Sequence, residues 1–415
     1  MRRFLLLLCL LPSIPAWAGT FNYRPILVGE RAVGLGGAYT ALSDSGEGGY
    51  YNPAGLAFVD QTSLSVAANL YRLTRGSRSK ALKFAGDSAD LTQDSYNSIP
   101  AVASFVKRFT HDAKDAVGLN VVVTEQVDLF GRVDFNVTGG QALLTRSIQD
   151  RTLLIGPSYA RRVSDRFSLG ASVFYSLRQA KSMAFIYQND ATTLGQGFLL
   201  ETQSAGNLVG KVGLRYSPVE NLWLGLTYQP PSIHLHASGS VFTSTIAQDK
   251  TTTNVDTTIT DNRNLNPNYP IPQTVTLGAA YLKKGNWLVA ADLLVHPGDS
   301  FAPFRNAAGT EIERETIYNF SVGSEYYVYP NIPLRLGFFS DFSSAPDIRT
   351  GVGGQADHVD FLGLAASLSL DTEKTSITLG TTISFGWGEG IDNQMNRIDV
   401  EQRNYAVLLG GSYKF

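Results

Sequence analysis

The 415-residue chain is poor in cysteine, in charge and in long apolar runs. Its only cysteine is Cys9, which rules out an intrachain disulfide framework. Charged residues make up 17% of the chain, where a soluble protein usually carries roughly a quarter. No apolar stretch approaches the roughly 20 residues that a membrane-crossing helix needs. The formal net charge is −2, so the basic excess of a nucleic-acid partner is missing and no nucleic acid is expected. Catalytic patterns are missing too. There is no G-x-S-x-G elbow. Gly34 to Tyr39 is not a dinucleotide fingerprint, because Tyr39 stands where glycine is needed and no βαβ unit surrounds it. Neither an enzyme nor a cofactor is expected. His234-x-His236 has ligand-like spacing, but no Cys or carboxylate accompanies it, so an exposed loop pair is the better reading than a metal site. His111, His296 and His358 fall near strand ends, where solvated rims are expected.

Residues 1–18 read as a secretory signal peptide. Arg2 and Arg3 precede the apolar run Phe4 to Leu11, and Ala16-Trp17-Ala18 supplies a small-x-small cleavage pattern before Gly19. Leu6-Leu7-Leu8 before Cys9 lacks the small residues of a lipoprotein signal, so the mature chain is expected to be free of cysteine.

What is abundant is alternation. Fourteen segments show the period of two that marks a strand with unlike faces: about 63–71, 98–109, 114–125, 152–162, 166–178, 207–217, 221–229, 273–282, 286–295, 316–328, 332–341, 359–370, 375–386 and 404–415. In the sixth, Leu208, Gly210, Val212, Leu214 and Tyr216 alternate with Val209, Lys211, Gly213 and Arg215. About ten residues suffice for a tilted strand to cross a bilayer. After the first strand the connections alternate long and short, with long ones at 72–97, 126–151, 179–206, 230–272, 296–315, 342–358 and 387–403. Bacterial barrels have this asymmetry of long external loops and short periplasmic turns, and a soluble sandwich has no reason for it. The expected fold is all-β: a membrane-spanning antiparallel β-barrel of about 14 strands over 61–415, in the bacterial outer membrane. Tyr405, Val407, Leu409, Gly411, Tyr413 and Phe415 share one face and end on an aromatic, as a closing strand would. That ending resembles the sorting signal of outer-membrane proteins and implies the barrel-assembly machinery as a partner. A monomer in outer-membrane lipid is expected.

Residues 19–60 do not alternate. They are rich in glycine and contain Asn52-Pro53-Ala54, a piece too small to fold alone, and the barrel lumen is its expected container. Gly34-Leu35-Gly36-x-Ala38-Tyr39 followed by Asn52-Pro53-Ala54 resembles the hatch of the FadL/TodX family of hydrophobic-compound transporters. Leu334 to Phe338, Asp341, Ser343-Ser344-Ala345-Pro346-Asp347 and His358-x-Asp360 resemble the family's later strands and loop. The resemblance implies an N-terminal hatch (19–60) inside the lumen and passive uptake of long-chain fatty acids or related hydrophobic small molecules. It implies a gate at Phe21, with Gly34, Gly36, Asn52 and Pro53 in the hatch. The segment around Gly29-Glu30-Arg31-Ala32 is also similar to PorV-like barrels, so a scaffold or shuttle of a secretion system is the alternative. The family kinks its third strand for a side exit. Here no proline stands in that strand and Gly118 is the one candidate, which weighs against lateral release.

If the apolar faces meet lipid, Arg178, Lys211, Arg215, Asp292, Glu325, Arg335 and Asp341 face the lumen. Structural salt bridging is the bland reading. The functional one is that Arg178, Lys211 or Arg335 meets an acidic head group, with Lys211 the first choice. The stretch 179–206 carries Met183, Phe185, Ile186, Tyr187, Phe198, Leu199 and Leu200, too apolar for an external loop in water. Phe185, Phe198 and Leu200 are therefore expected to capture ligand there.

Overall fold

The computed structural model describes residues 21–415 apart from 85–86, 110–113, 138–139, 253, 284–286, 308–310 and 393. The leader and His111 lie outside the described residues. In chain order the strands are β1 (Ser63–Phe84), β2 (Asp87–Arg108), β3 (Asp115–Val137), β4 (Gly140–Ser164), β5 (Phe167–Asn189) and β6 (Thr193–Val219). There follow β7 (Leu222–Gln229), β8 (Ile233–Asp249), β9 (Val255–Leu265), β10 (Thr274–Lys283), β11 (Trp287–His296), β12 (Asp299–Phe301) and β13 (Ile312–Arg314). The last five are β14 (Ile317–Tyr329), β15 (Ile332–Asp341), β16 (His358–Asp371), β17 (Thr375–Ile391) and β18 (Arg397–Lys414).

All but β8, β9, β12 and β13 join one antiparallel ring. β1 pairs with β18 from Ser63↔Lys414 and β5 pairs with β6, which closes the barrel at fourteen strands. The chemistry of the faces is that of a soluble protein turned inside out. Leu169, Val173, Val212, Leu277, Val322, Leu364 and Leu379 are exposed, while Ser158, Ser172, Ser321, Ser367 and Thr378 are buried. Hydrocarbon outside rewards the first set and an interior of polar partners satisfies the second.

The stretches expected as loops 72–97, 126–151 and 179–206 are a correction. They are the upper halves of β1 to β6, and hairpins of 22 to 27 residues per strand stand where loops were expected. Alternation is imposed by lipid on one face and a polar lumen on the other. Above the bilayer that contrast vanishes, although the backbone ladder continues. His234 and His236 likewise belong to a strand, β8, which starts beyond Pro230-Pro231 and pairs with the upper part of β6 as β7 pairs with the lower part.

Among the described residues, the longest break in the ring lies between β2 and β3. β2 and β3 pair at Asp94↔Phe130, and pairing resumes only at Val102↔Val122, in the same register. Residues 95–101 and 123–129 face each other without a rung between them. Bulges flank the break. β1 slips against β2 between Asn69 and Arg72, and β3 slips against β4 between Val123 and Glu125. Pro100, which has no N–H to give, stands in the rungless part of β2, and extra residues on β1, on β2 at Ala101 and on β3 at Thr124 bend the strands apart.

Residues 21–59 touch nearly every wall. They meet Ser104 on β2, Asn120 on β3, Ser172 on β5, Lys211 on β6, Asp292 on β11, Ser321 on β14, Asp341 on β15 and Thr378 on β17. A segment that reaches all of these does so from inside the ring. Close approach is allowed by facing glycine pairs on adjacent strands: Gly170↔Gly213, Gly225↔Gly278 and Gly323↔Gly337. A Cβ at Gly170 would lie 2.4 Å from the Pro53 carbonyl carbon, and one at Gly323 would lie 2.4 Å from Leu35 O. The wall is bare where the backbone of the inner segment rests on it. Gly323→Val should therefore leave the barrel folded but unseat this segment, at a cost of about 1–3 kcal/mol. Unchanged heat-modifiable gel mobility together with raised ion conductance in planar bilayers would show it; wild-type conductance would mean that the contact yields.

Candidate functional site

The inner segment is seated by charge as well as by shape. Its first helix (Glu30–Gly34) carries Arg31, whose Nε and Nη2 donate to both oxygens of Glu325 on β14 at 2.9 and 2.8 Å, while Nη1 donates to Asp44 at 3.0 Å. Arg335 on β15 donates to the same Glu325 carboxylate at 2.6 Å and to Ser369. Asp44 is half-buried, and the desolvation alone would raise its pKa. The Arg31 guanidinium overcomes this and holds it at about 2. Asn52 ends the second short helix (Gly48–Tyr51) and caps the 3-10 helix Pro53–Phe58. Its Oδ1 accepts from Ala54 N at 3.1 Å, and its Nδ2 donates to Thr40 O and to Leu214 O of β6. Pro53 at the first helical position loses no bond. Gly34 lies against Ser367, and Gly36, at φ +64°, lies against the Phe338 backbone. A side chain would fit at neither.

Two wall carboxylates hold backbone rather than charge. Asp341 Oδ1 accepts from Tyr23 N at 3.0 Å and Arg24 N at 3.1 Å. Asp292 Oδ2 accepts from Tyr39 N at 3.0 Å and Thr40 N at 2.9 Å.

Around the segment lie two cavities of about 220 and 160 Å³. The larger reaches up among β1 to β4 and β15 to β18, with Ile148, Phe361 and Val400 among its apolar residues. The smaller lies by β6, β10 and β11 and is lined by Tyr50, Lys211, Tyr269 and His296. Asn22, Arg24, Pro25, Ile26 and Leu27 line both, so this short stretch is the partition between them. Both cavities border the break in the ring. Ser95, Asn97 and Gln126 line the larger, and Thr124 and Glu125 line the smaller.

The structure sorts the residues singled out in the sequence. Phe21 is buried at the edge of the larger cavity, its carbonyl accepting from Ser344 N at 2.9 Å. Lys211 lines the smaller cavity, with Nζ donating to Tyr50 O at 2.5 Å and lying 4.8 Å from the Tyr50 ring centre. Arg178 and Arg335 line neither cavity. Arg178 is buried against Asp150 with its guanidinium 3.7 Å from the Tyr269 ring centre, and Arg335 is spent on Glu325. Phe185, Phe198 and Leu200 are not in a loop and do not face the lumen. Phe185 pairs with Phe198 across β5 and β6 on positions that alternate with the inward Ala184, Ile186 and Leu199. The inward residues, with Leu91, Leu144 and Val133, form an apolar cluster high in the barrel. His296 is a further correction. It is buried rather than on a solvated rim, its ring tilted against that of Tyr23 at 4.5 Å between centres and bonded through Nδ1 to Thr274 Oγ1. Arg24, Arg72 and Arg146 line the larger cavity and were not singled out in the sequence. Arg72 and Arg146 sat in supposed loops, and Arg24 stands in a segment without periodicity.

A closed fourteen-strand barrel, apolar outside, polar inside and partly filled by its own N-terminal segment, is the architecture of a membrane channel. The chain belongs to the outer membrane protein transport family (OMPP1/FadL/TodX), whose model matches residues 11–414. It is thus an outer-membrane channel for hydrophobic compounds, not an enzyme. A Pseudomonas aeruginosa FadL homologue shares the fold at TM-score 0.66 and 12% identity, over 95% of this chain and 100% of that one. The P. putida toluene transporter TodX does so at TM-score 0.63 and 14% identity, over 92% and 97%. The monoaromatic hydrocarbon channel CymD does so at TM-score 0.59 and 14% identity, over 94% and 97%. No curated protein matches in sequence.

Removing one partner of a buried ion pair typically costs about 3–5 kcal/mol, because the other is left desolvated. Glu325→Ala leaves Arg335 without a carboxylate and Arg31 with Asp44 alone, and should lower the temperature of the gel-mobility transition markedly. Arg75→Ala, which breaks an exposed pair with Asp94, should change stability by less than about 1 kcal/mol. Equal shifts for the two variants would remove the anchoring role of Glu325.

Proposed function

We propose that the channel takes up long-chain fatty acids or related hydrophobic compounds, aromatic hydrocarbons included, by passive diffusion, and releases them sideways through the break between β2 and β3. Residues 19–60 act as a hatch. Its body, held by the glycine pairs and the Glu325 cluster, stays seated. Its leading stretch, Phe21 to Leu27, moves to join the two cavities. Phe185, Phe198 and Leu200, being outward, are better suited to first contact at the cell surface than to binding within the lumen.

The observation that carries this reading is the coincidence of the partition with the break. The stretch that divides the cavities lies where both cavities meet the longest stretch without ladder rungs between paired segments of the ring among the described residues. An apolar solute that reaches this place has lipid on the other side, and polar solutes gain nothing by leaving there. The scaffold alternative calls for a plug without a path around it, and two cavities on either side of a thin partition favour the channel.

Asn97 and Val127 face each other across the break in register. Cysteines placed there and bridged by a reductant-cleavable bifunctional thiosulfonate should cut uptake of labelled toluene and oleate by roughly tenfold, equivalent to about 1.4 kcal/mol in the barrier, with recovery on reduction. Uptake at the unbridged rate would rule out lateral exit and leave a route to the periplasm.

A further inference from the structure

On the outward face of β4, β5, β6 and β8 the side chains stand in rows, because these strands pair in register. Along β5 the lipid-facing positions run from Phe167 to Leu177, about 23 Å of membrane normal at the usual strand rise and a tilt of about 45°. That fills an apolar band of about 25 Å. Two polar rows follow. The first is Arg151, Gln179, Ser204 and Ser238, and the second is Gln149, Lys181, Thr202 and Ser240. Beyond them the face turns apolar again. Met183, Leu200 and Phe242 stand side by side in the next row, and Phe185 and Phe198 in the one after. The ring centres of Phe198 and Phe242 are 6.1 Å apart. A last row holds Leu143, Tyr187 and Ile246.

The two cations of the polar rows are left open. Arg151 and Lys181 are exposed, and neither has a carboxylate partner among the described residues. No Asp or Glu stands in any of these rows. By contrast Arg75, Arg132 and Arg403, also exposed on the upper wall, lie 3.9, 3.0 and 3.8 Å from Asp94, Asp134 and Glu401. The apolar rows above are equally unexplained, since a face turned to water should be polar and a contiguous apolar patch marks a contact.

Height decides what the contact is. Arg151 and Lys181 stand about 5 and 9 Å beyond the Leu177 row, at the level of a headgroup layer roughly 5–8 Å thick. The Phe185 row stands about 19 Å beyond it, out of reach of a phospholipid headgroup. A lipid with phosphates at the first level and sugars continuing to the second covers both.

We propose that this face binds a phosphorylated glycolipid of the outer leaflet, its phosphates on Arg151 and Lys181 and its sugar rings on Phe185, Phe198 and Phe242. The guanidinium and ammonium supply charge-assisted donors to phosphate. A pyranose ring turns its C–H groups to the negative face of an aromatic ring, while its hydroxyls meet Gln149, Thr202 and Ser240. None of the residues in this site lines either cavity, so the inference goes beyond the channel reading and does not depend on the permeant. A solute that makes first contact at Phe185, Phe198 and Leu200 reaches them through the sugar layer.

The test is equilibrium binding of three fluorescent lipids to the detergent-solubilised full chain: lipopolysaccharide that ends after its core sugars, lipid A, and phosphatidylglycerol. The wild type should bind lipopolysaccharide roughly tenfold or more tightly than phosphatidylglycerol, with lipid A between them. Arg151→Glu with Lys181→Glu should weaken both glycolipids by at least that factor, and Arg151→Lys with Lys181→Arg should keep them bound. Phe185→Ser with Phe242→Ser should bring lipopolysaccharide down to the affinity of lipid A and leave lipid A unchanged. Heat-modifiable mobility shows that each barrel has formed, and toluene uptake by the Glu variant, which reads the channel separately, should stay at the wild-type rate. Equal affinity of the wild type for all three lipids, or undiminished glycolipid binding by the Glu variant, would overturn the proposal. So would a Ser variant that loses lipid A as well, or a solution dimer whose contact covers the Phe185 row.

Discussion

In hydrocarbon no water is available to an unpaired N–H or C=O, so a membrane-crossing sheet must close on itself. The rest of this structure follows from that constraint. Fourteen strands close through β1 and β18, the apolar residues go outward because lipid is there, and the polar ones go inward. The lumen is then a space lined by serine, threonine and charge that the chain partly fills with its own residues 21–59. A break in such a ring is expensive, and it is kept between β2 and β3 beside the two cavities. On the proposed reading it is the working part of the wall.

The inner segment is built from two kinds of attachment. Its body rests on bare backbone at paired glycines and is tied by the Arg31, Glu325 and Arg335 cluster, contacts that cannot be loosened one at a time. Its leading stretch is held by hydrogen bonds to Asp341, Ser344 and Ser321, each exchangeable for a bond to a solute or water. On the proposed reading, a firm plug with a thin, exchangeable edge keeps the channel shut to polar solutes while letting an apolar one push between the cavities.

Much of this was legible in the sequence. The alternation of β5, β6 and β17 follows from a bilayer that sorts side chains at every second position. Strand boundaries inside the membrane therefore came out within a few residues, and the glycine-rich Gly34-Leu35-Gly36 with Asn52-Pro53 marked the piece that does not alternate. The upper strands were not legible, because above the lipid nothing sorts their faces. Arg72 and Arg146 were hidden for the same reason. The break between β2 and β3 was missed because a proline was sought in the third strand, whereas Pro100 stands in the second, and the bulges beside Asn69 and at Thr124 leave no mark in residue type. Lys211 was placed correctly in the lumen. Arg178 and Arg335 were inward too, and only the structure shows that carboxylates already occupy them.

The open ladder can be measured directly by amide hydrogen exchange on the protein in lipid nanodiscs, comparing residues 95–101 and 123–129 with their paired continuations 102–106 and 116–122. The account requires those amides of the first two stretches that point into the break, about every second one, to exchange orders of magnitude faster than the corresponding amides of the second two, since they lack the rungs that the others make to β1 and β4. Equal protection across all four would mean that the ring is sealed there and that the break is not an exit.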